Sequence, residues 1–128
     1  YTVRTLTNEG KHMLTEKHNI ELAHSNALAA ARKASQEFVD KHFGGSDGGP
    51  CGFAHVAVYG VRANSKLGRA LEEVTGARKW SYDKAYHIRN EWYHGQSVDA
   101  AAAGADAYRA VFKKLTGLEK VYAASRLD

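Results

Sequence analysis

The chain has one cysteine, one proline and one methionine among its 128 residues, and each scarcity narrows the reading. A lone cysteine cannot form an internal disulfide. That excludes a secreted fold held by cross-links and makes a reducing compartment, the cytoplasm, the expected one. No stretch approaches the roughly 18 apolar residues of a membrane-spanning helix. Residues 1–30 hold no apolar core followed by a small-residue cleavage site, so no secretory signal is expected. CxxC, HExxH and GK[ST] are all missing, which removes the common signatures of a structural zinc site, a metalloprotease and a phosphate-binding loop. What remains is ordinary for a globular domain of this length: 44% hydrophobic and 25% charged residues, enough for one core. A single domain over residues 1–128 is expected, with an N-terminal arm and helix to about residue 44 and a core from about residue 50.

The net charge of +4 is localised. Between Val61 and Asn90 stand seven basic residues (Arg62, Lys66, Arg69, Arg78, Lys79, Lys84, Arg89) against three acids (Glu72, Glu73, Asp83), and the rest of the chain is balanced. A basic middle segment suits an anionic partner, although a solvated basic surface is the commoner meaning of such a run.

The glycine-rich approach from Gly48 leads into the clearest strand. From Phe53 to Tyr59, residues Phe53, His55, Ala57 and Tyr59 alternate with Ala54, Val56 and Val58. Both faces can be used, so this reads as a central strand. Before it, Ile20, Ala23, Ala27, Ala30, Ala34 and Phe38 recur at helical spacing, which predicts a helix over about 20–43 ended by the GGSDGG run. Tyr1 to Asn8 reads as a short strand or an unpaired arm. After the central strand, Asn64 or Ser65 caps a short helix over 66–75 with Leu67, Ala70, Leu71 and Val74 inward. Two strand-like runs follow at 78–82 and 85–90, with Asp83 and Lys84 at the hairpin tip. Ser97 caps a helix to Thr116 with Val98, Ala101, Ala105, Tyr108, Phe112 and Leu115 inward, and a last strand is expected over 118–124.

The order β, α, β, β, α, β after the first helix predicts an α+β fold of ferredoxin-like type, a four-stranded antiparallel sheet with its first and third strands central. If Ala54, Val56, Val58 and Ile88 face the helices, the opposite face carries Phe53, His55, Tyr59, His87, Arg89 and Tyr122. Rings for bases and cations for phosphates are what single-stranded nucleic acid requires. Burial of the same face by the N-terminal helix, or by a second copy of the chain, is the competing expectation.

Other groups carry less. His12, His18 and His24 lie six apart, which turns them to different faces of a continuous helix, so no metal site is expected and no cofactor is implied. Cys51 and His55 would sit about 13 Å apart in extended chain at ~3.3 Å per residue, too far for direct proton transfer. Trp92, Tyr93 and His94 form an aromatic loop that either contacts a ligand or plugs the end of the core. No nucleophile, base and orienting partner stand at a spacing that defines an enzyme.

Pro50-Cys51-Gly52-Phe53-Ala54, then Asn64-Ser65-Lys66-Leu67-Gly68, Gln96 before an alanine-rich helix, and the closing Arg126-Leu127-Asp128 resemble a group of small proteins encoded by tailed bacteriophages. The resemblance covers residues 20–128. The group's pattern has tryptophan where this chain has His55. The resemblance implies a small accessory protein acting in the cytoplasm of a bacterial host and transfers no activity. The leading expectation is a noncatalytic binding protein that takes nucleic acid through Phe53, His55, Tyr59, His87 and Arg89 with the basic residues Arg62, Lys66, Arg69, Arg78 and Lys79. The alternative is a protein-interaction module, a homodimer or an inhibitor of a host factor, with that sheet face buried.

Overall fold

The run after Pro50 forms β1 (Gly52–Val58), and three further strands build a sheet around it: β2 (Arg78–Lys79), β3 (Tyr86–Arg89) and β4 (Val121–Leu127). The sheet is antiparallel throughout, in the order β2-β3-β1-β4, which makes β1 and β3 central as its two-faced pattern demands. The computed structural model describes residues 17–44 and 48–127, so the strand or arm expected over Tyr1 to Asn8 lies outside the described residues. Three helical segments complete this α+β chain: α1 (Lys17–Phe43), α2 (Lys66–Ala70), which runs on into a π-helical turn at Leu71–Thr75, and α3 (Val98–Thr116). No helix among the described residues is long and apolar enough to cross a membrane.

Alternation along the strands sets the core. Ala54, Val56 and Val58 of β1, Tyr86 and Ile88 of β3 and Val121 of β4 are buried on the face that α3 covers. Glycine serves this packing at Gly52, where a side chain would run into Val98 and the Arg126 carbonyl. Ser65 caps α2 by accepting from the Gly68 N–H at 3.0 Å, and Ser97 caps α3 by accepting from the Ala100 N–H at 3.2 Å. Both helical runs then end on glycine in the left-handed region, Gly76 at φ 72° and Gly117 at φ 76°.

The long helix α1 packs on α3 and on the π-helical turn. Its buried line is Ile20, Ala23, Ala27, Ala31, Ser35 and Val39, whereas the stripe expected from the sequence continued through Ala30, Ala34 and Phe38. After Ala23 the line steps by four, and so does its counterpart on α3, Ala100, Gly104, Tyr108, Phe112 and Thr116. Ridges of spacing four on both helices mesh directly, which fixes the register that periodicity alone left one residue off. Ser35 takes a core position because its hydroxyl donates to the Ala100 carbonyl at 2.7 Å. His24 and Tyr108 are joined across the same seam at 2.6 Å. Burial pushes the Tyr108 phenol up, and the His24 imidazole is held below its ordinary value chiefly by desolvation, so the pair is neutral at neutral pH.

Two other boundaries differ from expectation. The last strand lies three residues later than the predicted 118–124, because its register is set by β1: Val58 pairs with Val121, Phe53 with Arg126 and Gly52 with Leu127. The run over 78–82 pairs only at Arg78 and Lys79, since a turn begins at once. There the Trp80 N–H reaches the Ala85 carbonyl, the Lys84 N–H reaches the Trp80 carbonyl, and Lys84 adopts φ 57°. Leu115, expected inward, is exposed, and within the short helix Leu67 and Val74 are only half-buried while Gly68 and Thr75 are buried.

Gly104 tests the helix seam. A β-carbon there would collide with Trp92 and with the Ser35 hydroxyl. In an open helix, glycine to alanine gains about 1 kcal/mol, but overpacking costs about 1–3 kcal/mol. Gly104→Ala is therefore expected to lower the urea midpoint, and a raised midpoint would show that α1 and α3 are not in close contact at this level.

Candidate functional site

Because α1 packs on α3, it does not occupy the far face of the sheet. That face is built by register. Arg78 of β2 is opposite His87 of β3, His87 is opposite Ala57 of β1, His55 is opposite Arg89, and Phe53 is opposite Arg126 of β4. Paired residues share a face, so Arg78, His87, Arg89, Phe53, His55 and Arg126 come together. The hairpin between β2 and β3 adds Trp80 and Tyr82. All of these but Arg78, which stands beside it, border a cleft of about 840 Å³ whose lining among the described residues contains no acid.

At its floor the His55 and His87 rings are stacked, with centroids 4.3 Å apart and planes 11° apart. Trp80 lies on the other flank of His87 at 5.2 Å, and Tyr82 meets both Trp80 and His87 edge-on. His87 is thus a buried ring, 6% exposed, while Trp80 is 49% and Tyr82 73% exposed. The opposite wall is Phe53, 54% exposed, with the Arg126 guanidinium over its ring at 5.5 Å. Flat apolar surface and fixed cations therefore share one open space.

Asp83 holds the arrangement from behind. Its carboxylate accepts from the Ala85 N–H at 3.0 Å through Oδ1 and contacts His87 Nε2 at 2.7 Å through Oδ2. Desolvation pushes the Asp83 carboxyl up, but the bonds from Ala85 and His87 outweigh it and hold the group below its ordinary value. One side chain thus shapes the turn and orients the floor. The His55 imidazole is held below its ordinary value, first by burial and then by the neighbouring His87, with Asp83 opposing and Arg126 adding to the effect.

The site residues expected from sequence divide. Phe53, His55, His87 and Arg89 meet in the cleft, with Arg78 beside them. Tyr59 lies further along the same strand direction and packs edge-on against Tyr122, 5.8 Å away. The remaining basic residues go elsewhere. Lys79 turns inward, its Nζ donating to the Val61 carbonyl at 2.6 Å and lying over the Tyr86 ring. Lys66 and Arg69 are on α2, where with Lys17 and Glu73 they line a small cleft of about 240 Å³ on the helical side. Arg62 is exposed in the loop before α2. The basic middle segment is therefore not one patch.

The aromatic loop also divides. Trp92 is a plug, 4% exposed, donating to the Ala101 carbonyl at 2.9 Å and packed on Tyr108 at 5.4 Å, so it has no surface to offer a ligand. Tyr93 is half-buried against the core and His94 is exposed. Three of the cleft's ring-bearing and charged residues were not singled out from sequence. Trp80 and Tyr82 alternate with Arg78 and so had a signal, the period-two pattern of the strand they follow. Arg126 had none, because Ser125 to Leu127 lie beyond the strand expected over 118–124. Cys51 is exposed beside Gln96, its Sγ donating to Oε1 at 3.4 Å.

Among the described residues no three His, Cys, Asp or Glu side chains converge as metal ligands would. Comparison with family models, curated proteins and solved structures gives no match to this chain.

The two depressed imidazoles make stability depend on pH. His24 and His55 protonate less readily in the folded chain than in the unfolded chain, where the value is about 6.5. Their contribution is complete above that value and is lost as pH falls from it through the lowered folded values. Urea midpoints are expected to be lower at pH ~5.5 than at pH ~7.5, with the difference reduced in His24→Gln. An unchanged midpoint across this range would contradict the neutral seam.

Proposed function

We propose that the open face of the sheet binds single-stranded nucleic acid, and that the protein is a noncatalytic binding protein, in keeping with the phage accessory role that the sequence resemblance implies. One observation carries this reading: exposed rings and three arginines, Arg78, Arg89 and Arg126, share a face whose cleft has no acid in its lining. Phe53, Trp80 and Tyr82 present ring surface on which bases can stack, each worth about 1–3 kcal/mol when lost. The arginines supply the counter-charge, and two of them sit beside a ring, Arg126 on Phe53 and Arg78 in register with His87. We also read the architecture as ferredoxin-like. In support, β1 and β3 are central, one helical segment joins β1 to β2 and another joins β3 to β4.

Fluorescence anisotropy with labelled single strands is the test. Three phosphate contacts predict a log–log salt slope of about −2. Trp80→Ala is expected to weaken binding by about 1–3 kcal/mol, and Arg89→Ala to weaken it and reduce the slope by about 0.7. Lys66→Ala with Arg69→Ala, on the helical side, should leave affinity near that of the parent. Failure to bind at low salt, together with a doubled mass in sedimentation, would overturn the reading in favour of self-association through the same face.

A further inference from the structure

The two stacked imidazoles at the floor of the cleft are not equivalent. His87 is buried and tied to the Asp83 carboxylate at 2.7 Å, whereas His55 is half-buried and lines the open space. Around His55 the charges are nearly all of one sign. From β3 it faces His87 and its register partner Arg89, from β4 Arg126, and from β2 Arg78 stands one strand further away; among the described residues the single acid is Asp83, already engaged by His87 and by the Ala85 N–H. A proton placed on His55 in the empty cleft would bring a cation into contact with other cations and with a partly dry surface. Among the described residues no anion stands on the cleft side, and a bound anion would supply one.

We propose that the floor of the cleft at His55 is a phosphodiester subsite that takes up one proton as it is filled. This rests on the nucleic-acid reading above and specifies how the site holds its ligand. In the empty protein the ring is neutral at neutral pH. A phosphodiester oxygen set against it between Arg89 and Arg126 replaces the missing counter-charge, and the protonated ring then donates an N–H to that oxygen. Phosphodiesters and thymine do not titrate over the range in which histidine does, about pH 5 to 8, so the proton belongs to the protein. Since binding takes up a proton, affinity rises as pH falls, by at most about tenfold per pH unit for one group.

The test measures anisotropy of a labelled oligo(dT) of about ten nucleotides at fixed ionic strength from pH ~8 to ~5.5. NMR titration of the His55 ring, with and without the oligonucleotide, accompanies it. The expected result is binding about five- to thirtyfold tighter at the acidic end, a His55 titration moved to higher pH by the oligonucleotide, and a nearly flat profile in His55→Gln. Equal affinity at both ends, a dependence that persists in His55→Gln, or a His55 titration unmoved by the oligonucleotide would each overturn the proton-linked subsite and leave the nucleic-acid reading in place. No binding at any pH would overturn both.

Discussion

The close meeting of α1 with α3 is the constraint on which the rest depends. Each helix presents a buried line at spacing four, mostly small residues on α1 and small residues with the rings of Tyr108 and Phe112 on α3, and Gly104 removes a β-carbon that would run into Ser35 and Trp92. Alanine methyls bury little area each, so this contact is stabilised by closeness and by polar ties such as Ser35 to Ala100 and His24 to Tyr108. Its consequence is spatial. A helix of 27 residues is committed to the helical layer, and it does not lie on the far face of the sheet.

That face can then be assembled from short-range rules. Antiparallel register aligns Arg78 with His87, His55 with Arg89 and Phe53 with Arg126, so cations and rings alternate across four strands. A single carboxylate, Asp83, shapes the hairpin and orients His87, and the hairpin in turn carries Trp80 and Tyr82 over the floor. The cleft is therefore a product of sheet geometry and one turn. Its chemistry, flat rings with positive charge, follows from which residues that geometry gathers.

The strand Phe53 to Val58, the capped helix after Ser97 and the centrality of β1 and β3 were legible because each rests on a local pattern, period two or a serine cap. The four cleft residues Phe53, His55, His87 and Arg89 were legible for the same reason. What was not legible depended on partners distant in sequence. Ser35 stood outside the stripe expected from periodicity, and the Ala100 carbonyl is what admits it to the buried line of α1. Arg126 lay beyond the expected last strand until β1 set its register. The basic middle segment looked continuous along the chain, yet Lys79 turns to Val61 while Lys66 and Arg69 ride on α2, because successive strand and helix positions point to different sides. Trp92 satisfied both readings of its loop, and the space beside Gly104 decided for the core.

The most direct measurement of the central claim is amide and side-chain chemical-shift mapping of the isotopically labelled protein as a short single strand is added. The account predicts that the largest changes fall on Phe53, His55, Trp80, Tyr82, Arg89 and Arg126, and that they reverse on adding salt. Changes concentrated on Lys66, Arg69 and the outer surface of α1, with the open sheet face unaltered, would contradict it.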